Sequence, residues 1–361
     1  MIFHRIKRDC STVLLFIFAL FLVSYFDERK VRHHRSADED FDPSDLEKFF
    51  EKQKKHEAHE NVHVRHLEPL VPKRNFQISS SQGNPFLLSA PGEAHFFDSD
   101  ENYARGADFY LSMMPKANEF HHVFEKTPSY LTLKKVPGRI AQFKKDIKII
   151  AILCDPVKRA LSHFLHVHAN KIKITKNAER KEVHFDPDVT LIDVLGDIFS
   201  KKSIDYLKSD KFNPPKHKAA RAEFWKFLEK HEDRKPHNFV TRGAYAFHIN
   251  IWKEYFRDDQ MLFISGSDLA AKPAQVVMKI QDFLGAPKIL NENHFVFNKT
   301  SGFYCLQSPG KHKPDCVGAH SGGKGRSKTA SLSESTTYLL KRVFGLVKYD
   351  LDQALNTTVK F

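Results

Sequence analysis

The sequence predicts an α/β fold built on a central parallel sheet, and three observations predict it. Lys148–Leu153, KIIAIL, is a short uninterrupted apolar run closed by Asp155-Pro156 and followed by an amphipathic stretch, Lys158–His168, which is the pattern of a buried strand feeding a helix. Gln260–Ser265, QMLFIS, is a second such run, and Pro273–Leu284 after it has helical spacing. Strands that alternate with helices belong to parallel sheets. The third observation is composition: 41% of the 361 residues are hydrophobic and 32 are Phe, against only 15 Gly and 17 Pro. That supplies a sizeable core and excludes collagen-like and low-complexity chains.

The elements follow in chain order. His4, Arg5, Lys7 and Arg8 precede Cys10–Phe26, CSTVLLFIFALFLVSYF, seventeen residues without a charge. This run predicts a transmembrane signal-anchor over residues 10–26, at the short end of what spans a hydrocarbon core and suited to a thin early-secretory membrane. Ser24, Tyr25 and Phe26 make a poor cleavage site, so an uncleaved anchor is expected rather than a removed signal peptide. Residues 1–9 are then a cytosolic tail. Residues 27–74, with SADEDFDPSD and EKQKKHEAHEN, are rich in charge and His and lack sustained apolar periodicity, so they read as a stem that cannot fold alone. Residues 75–361 form the lumenal globular domain, in which Asn170–His237 is an elaborated Lys-rich surface of helices and loops.

There are 57 Lys and Arg against 44 Asp and Glu, a formal charge of +13. That balance suits a polyanionic partner: nucleic acid, an anionic membrane or an acidic polysaccharide. The anchor argues against nucleic acid. Asn298-Lys299-Thr300 and Asn356-Thr357-Thr358 are glycosylation sequons at Asn298 and Asn356. Cys305 and Cys316, with Pro309, Gly310 and Pro314 between them, are either two free thiols or a disulfide. A disulfide there would form only in an oxidising lumen and would contribute about 2 to 4 kcal/mol. The 21 His are scattered, and the pairs His33-His34 and His121-His122 are adjacent rather than spaced as ligands, so no metal is expected.

The first chemistry-bearing pattern is Cys154-Asp155-Pro156-Val157-Lys158-Arg159-Ala160-Leu161-Ser162. Arg159 and Ser162 sit three apart, on one face of the first helical turns, where exposed amides and the helix dipole favour a phosphate. An ordinary helix start after Asp-Pro has the same appearance. Five further blocks give this one its context. Pro91-Gly92-Glu93-Ala94-His95-Phe96-Phe97-Asp98 leads through Tyr103, Gly106, Tyr110 and Met114-Pro115 to Glu125-Lys126-Thr127-Pro128-Ser129-Tyr130. After the Asp155-Pro156 block come Arg242-Gly243-Ala244-Tyr245 with His248 and Trp252, then Phe297-Asn298-Lys299-Thr300 and Gly302-Phe303-Tyr304-Cys305, then Cys316 and Lys324-Gly325-Arg326. In order and spacing, from about Pro91 to Arg326, these blocks resemble the heparan sulfate glucosamine sulfotransferases, closest to the 3-O-sulfotransferases and next to the N-sulfotransferase branch.

The resemblance implies a P-loop nucleotide-kinase-like fold that transfers a sulfuryl group from 3'-phosphoadenosine 5'-phosphosulfate to a glucosamine hydroxyl of heparan sulfate. It implies Glu93 as the base on the acceptor hydroxyl, His95 and Asp98 arranging it, and Lys126 lying between donor sulfate and acceptor. Ser162, with Arg159, would hold the 3'-phosphate. Lys324, Gly325 and Arg326 would wrap the nucleotide, and Tyr304 would pack near the adenosine. Taken with the anchor, it implies a single-pass type II Golgi protein with its catalytic domain in the lumen.

Three departures stand against full activity. The family carries a Lys-x-Gly-Thr type loop, after a first strand, that binds the 5'-phosphosulfate; here the interval before Glu93 reads VPKRNFQISSSQGNPFLLSAPGEA, with no glycine-rich lysine loop. Cys154 stands where arginine is usual, which removes a charge-assisted contact to the 3'-phosphate. Ser327-Lys328 follow the Lys-Gly-Arg triplet, where the family tends to have His-Pro. Either a segment is missing from this chain, or it is a diverged member that binds glycan without efficient transfer.

Overall fold

Why Lys148–Leu153 is apolar without interruption is answered by where its side chains go. In the computed structural model Ile149, Ala151 and Leu153 join one buried cluster while Ile150 and Ile152 join another on the opposite face. A strand buried on both faces has no polar position to alternate with. The structure describes residues 2–5, 12–18, 84–118, 120–175, 186–214, 218–231, 236–299, 303–308, 312–316 and 331–355.

Six strands form the main sheet: β1 (Ile2–Arg5), β2 (Thr12–Phe18), β3 (Leu87–Ser89), β4 (His122–Lys126), β5 (Lys148–Leu153) and β6 (Met261–Ser265), in the spatial order β3-β4-β1-β2-β5-β6. The two predicted strands are adjacent and parallel, Ile149 opposite Met261 through Leu153 opposite Ser265. β3 runs parallel to β4, and β2 parallel to β5. β1 alone is reversed, antiparallel to β2 and, through Arg5 opposite His122, to β4. The C-terminal ends of β2 to β6 therefore share one edge of the sheet, the edge at which α/β folds place their ligands.

The N-terminal segment departs from expectation. Thr12–Phe18, inside the run predicted as a membrane anchor, is a strand here, paired from Leu14 opposite Lys148 to Phe18 opposite Ile152. No helix among the described residues is long and apolar enough to cross a membrane. The physical reason is that a charge-free run rich in Val, Ile, Leu and Phe satisfies a central strand as well as it satisfies lipid. The rest of the predicted anchor and the whole of the predicted stem lie outside the described residues.

Eight helices of eight or more residues occur among the described residues: α1 (Lys135–Phe143), α2 (Pro156–Thr175), α3 (Pro187–Ile198), α4 (Lys201–Lys208), α5 (Lys218–Lys230), α6 (Tyr245–Lys253), α7 (Pro273–Leu284) and α8 (Glu334–Leu355). α2 and α7 follow β5 and β6 as the apolar patterns predict, and α3 to α5 make up most of the predicted elaborated surface. A cluster of Leu191, Val194, Leu195, Phe224, Leu340, Val343 and their neighbours packs α3 and α5 against α8. α8 closes over the start of α2 at Gly243, where an added Cβ would lie 2.5 Å from Phe344 Cε1 and 3.0 Å from Pro156 Cβ. An antiparallel hairpin, β7 (Phe295–Asn298) with β8 (Phe303–Leu306), stands apart from the sheet and is tied by a Cys305–Cys316 disulfide.

Candidate active site

Two adjacent strand ends build the site. β3 ends at Ser89, and the Ala90 amide continues the ladder by donating to Phe124 O at 2.8 Å. The chain then turns through Pro91 and Gly92 and presents Glu93 beside Lys126, the last residue of β4. Lys126 Nζ donates to Glu93 Oε1. His95 Nε2 lies 3.3 Å from the other Glu93 oxygen, and His95 Nδ1 lies 2.8 Å from Asp98 Oδ2. Ser129 Oγ also donates to Asp98 Oδ2, and Asn102 Nδ2 donates to the His95 carbonyl at 2.9 Å. All four residues assigned to the acceptor side thus share one connected set, although Lys126 is 33 residues from Glu93 in the chain.

His95 reaches this position at a conformational cost. Its φ is 46°, and it is the only non-glycine residue with positive φ among those described. A left-handed, bulky residue is held there by its surroundings, and such strain gathers at functional sites.

The electrostatics follow from the geometry. Burial raises the Glu93 pKa, but hydrogen bonds from His95 and Lys126 outweigh it, and the carboxyl ends below its ordinary value. Asp98 behaves alike: burial is opposed by hydrogen bonds from His95 and Ser129, with a net lowering. The His95 imidazole is raised to about 10, first by its bond to Asp98 and then by its bond to Glu93, against burial. At neutral pH the set holds two carboxylates and an imidazolium, with Lys126 donating to Glu93. An anionic group that drew Lys126 away would leave Glu93 with one fewer competitor for a proton.

The other predicted residues fall differently. Ser162 is half-buried on α2. Arg159 is 3% exposed, and its guanidinium donates to the Phe239 carbonyl. The amides of Val157 and Lys158 are already capped by Asp155 Oδ1, at 2.8 and 3.1 Å. Tyr304 is on the separate hairpin, its ring meeting Phe297 edge-on at 5.2 Å, and Asn298 ends the partner strand. Lys324, Gly325, Arg326 and Asn356 lie outside the described residues.

The sulfotransferase domain family matches residues 73–334, most of the chain. The chain belongs to the sulfotransferase family. Heparan sulfate glucosamine 3-O-sulfotransferase 3A1 from Mus musculus is 30% identical over 240 residues, 66% of this chain and 50% of that one. The human 3B1 enzyme of the same description gives the same figures, and human heparan sulfate glucosamine 3-O-sulfotransferase 6 is 29% identical over 240 residues, 57% of its length. The chain spans about half the length of these relatives. Among solved structures, a sulfotransferase from Alicyclobacillus acidocaldarius is 17% identical, with 76% of this chain and 88% of that one covered at a TM-score of 0.46.

Sulfotransferases use 3'-phosphoadenosine 5'-phosphosulfate as donor, and the described residues do not make a complete seat for it. The strand position between β4 and β5 is taken by the β1–β2 pair, and the residues after Phe18 read ALFLVSYF, with neither glycine nor lysine. Cys154, the first residue after β5, is neutral, with burial pushing its thiol up to about 11. A cleft of about 190 Å³ opens beside this turn, lined by Asp155, Gly243, Tyr245, Lys341 and Lys348 among others. That is below the roughly 300 Å³ at which small-molecule sites begin. Sequence reading overlooked Ser129, Glu125, Thr127 and Tyr130, whose only signal was membership of the block that carries Lys126.

Proposed function

We propose that this chain transfers a sulfuryl group from 3'-phosphoadenosine 5'-phosphosulfate to the 3-hydroxyl of a glucosamine in heparan sulfate. The observation that carries the reading is the connected set of Glu93, His95, Asp98 and Lys126 at the C-terminal edge of the sheet. Glu93 takes the proton of the attacking hydroxyl, and Lys126 stands beside it to meet developing negative charge. His95, held by Asp98, orients the second Glu93 oxygen. The donor supplies the sulfuryl group when bound. A net charge of +13 favours a sulfated, carboxylated chain as acceptor, and such binding weakens with salt.

A second reading, a glycan-binding protein without efficient transfer, is favoured by one observation: the neutral Cys154 thiol and capped amides where the 3'-phosphate would rest. Calorimetric titration of the full chain with 3'-phosphoadenosine 5'-phosphate at fixed salt, followed by radiolabelled sulfate transfer to heparan sulfate and disaccharide analysis, separates the two. Micromolar nucleotide binding with label at the 3-O position supports transfer. A folded chain that binds heparan sulfate, binds no nucleotide and transfers no label sinks it.

For location we propose the Golgi lumen, with type II orientation. The Cys305–Cys316 disulfide and the Asn298 sequon support an oxidising compartment. Residues 12–18 cannot be strand β2 and the middle of a membrane anchor at once; carbonate extraction of the full chain from microsomes separates these uses, and endoglycosidase sensitivity tests the lumenal address.

A further inference from the structure

The turn that carries the acceptor-side residues hangs from one buried carboxyl. The His95 amide donates to Thr127 Oγ1 at 3.3 Å, and the Thr127 hydroxyl donates in turn to Glu125 Oε2 at 2.8 Å. The Phe96 and Phe97 amides both donate to the Tyr130 hydroxyl oxygen, at 3.1 and 3.3 Å. The His95 amide therefore ends on Glu125 through one hydroxyl, and the next two amides end on the Tyr130 hydroxyl beside it. Glu125, Thr127 and Tyr130 are each 0% exposed.

A carboxyl is suited to this task. Its two oxygens offer about four lone-pair sites and, when ionised, no competing donor. Glutamine at the same place keeps one such oxygen and sets an NH₂ group against a hydroxyl donor. Burial raises the Glu125 pKa, and the hydrogen bond from Thr127 works against that rise. A buried polar group of this kind is tolerated when its donors are in place and costly when they are not. The left-handed conformation of His95, unfavourable for a bulky residue, needs such a tether.

We propose that Glu125 is a positioning residue of this site: through Thr127 it fixes the His95 backbone so that the His95 ring sits between Glu93 and Asp98, while Tyr130 holds the Phe96 and Phe97 amides that follow. This rests on the reading of Glu93, His95, Asp98 and Lys126 as acceptor-side machinery. Glu125 itself lies beneath the site and acts through His95.

The test is Glu125→Gln in the full chain, followed by denaturant unfolding, by the His95 titration in NMR of ¹³C-histidine-labelled protein assigned against His95→Gln, and by kcat and KM for heparan sulfate. The expected result is a folded variant whose His95 midpoint drops from about 10 toward the ordinary 6.5. Its kcat falls about 100-fold, as for a slightly misplaced catalytic group, while KM for heparan sulfate stays within twofold. A folded Glu125→Gln variant whose His95 titrates as in the parent overturns the proposal. Should that variant fail to fold, Thr127→Val removes a single hydroxyl of the relay; it is expected to lower the His95 midpoint, and a folded Thr127→Val variant with an unmoved midpoint overturns the proposal equally. The two readings fail separately. A parent that transfers no sulfate, with His95 shifted in the variants, removes the sulfotransferase reaction and keeps Glu125 as the tether. Normal transfer with His95 unmoved does the reverse.

Discussion

His95 Nδ1 lies 2.8 Å from Asp98 Oδ2, and this contact, ahead of the one to Glu93, keeps the imidazole charged. The sign of the resulting pH dependence follows. His95, raised from 6.5 to about 10, contributes stability that is fully present below pH 6.5 and lost as pH rises through about 10. Glu93 and Asp98, lowered from 4.5 and 3.8, contribute stability present above those values and lost as pH falls through their folded midpoints. All three contribute together between about pH 4.5 and 6.5. Asp98→Asn should bring the His95 midpoint toward 6.5 and reduce the stability lost between pH 6 and pH 10. Urea unfolding of parent and variant at pH 6, 8 and 10 checks this, and equal losses in both would count against the contact.

Glu93→Gln isolates the proposed base. Both Glu93 oxygens are engaged, one by Lys126 and one by His95, so the amide keeps an acceptor and the turn should hold. Turnover on heparan sulfate should fall by about 10²- to 10⁴-fold, with the unfolding midpoint and heparan affinity close to the parent. A variant retaining more than a tenth of parental kcat would move the proton-accepting role to another group.

How much of this was legible in the sequence depended on what each residue answers to. Lys148–Leu153 was legible because burial on both faces leaves an unbroken apolar run. Glu93 and Lys126 were legible only through the order of six blocks, since nothing local to a turn carboxylate says that a lysine 33 residues on will meet it. Thr12–Phe18 drew a membrane reading and is a strand here, because hydrophobicity and lack of charge do not separate a central strand from a membrane segment. The spacing of Arg159 to Ser162 was legible, whereas its contact to Phe239, 80 residues later in the chain, was not. Glu125 was legible only as a member of the block that carries Lys126, because its complete burial is set by the tertiary fold.

Gly243 tests the closure of α8. Its missing side chain lets Phe344 and Pro156 approach to distances at which a Cβ would meet Phe344 Cζ at 2.8 Å and Pro156 Cβ at 3.0 Å. Both are parts of well-packed elements, so Gly243→Ala should destabilise by about 1 to 3 kcal/mol as overpacking does. Adding Phe344→Leu should restore part of the loss. A Gly243→Ala variant with parental unfolding behaviour would mean that α8 can shift without penalty.

Cys154→Arg asks whether the donor side fails for want of one cation. Cys154 directly follows β5, its carbonyl accepts from the Tyr245 hydroxyl at 3.0 Å, and burial keeps its thiol neutral. The thiol packs against the turn after β6, where a Cβ on Gly266 would come within 2.5 Å of it. An arginine cannot stay in that space and must extend from the sheet edge past Asp155 toward Ser162, where the family resemblance puts the 3'-phosphate. Hydrogen bonds to a charged partner are worth about 1.5 to 3 kcal/mol, which converts to roughly 10- to 100-fold in affinity. The variant should therefore bind 3'-phosphoadenosine 5'-phosphate about that much more tightly than the parent, with the gain shrinking as salt is raised. Calorimetry at 50 and 300 mM salt measures it, alongside urea unfolding to register the cost of the larger side chain. A folded Cys154→Arg variant with parental nucleotide affinity would mean that the lost 5'-phosphate loop, not the lost arginine, limits this chain, and heparan binding without transfer would then be its better description.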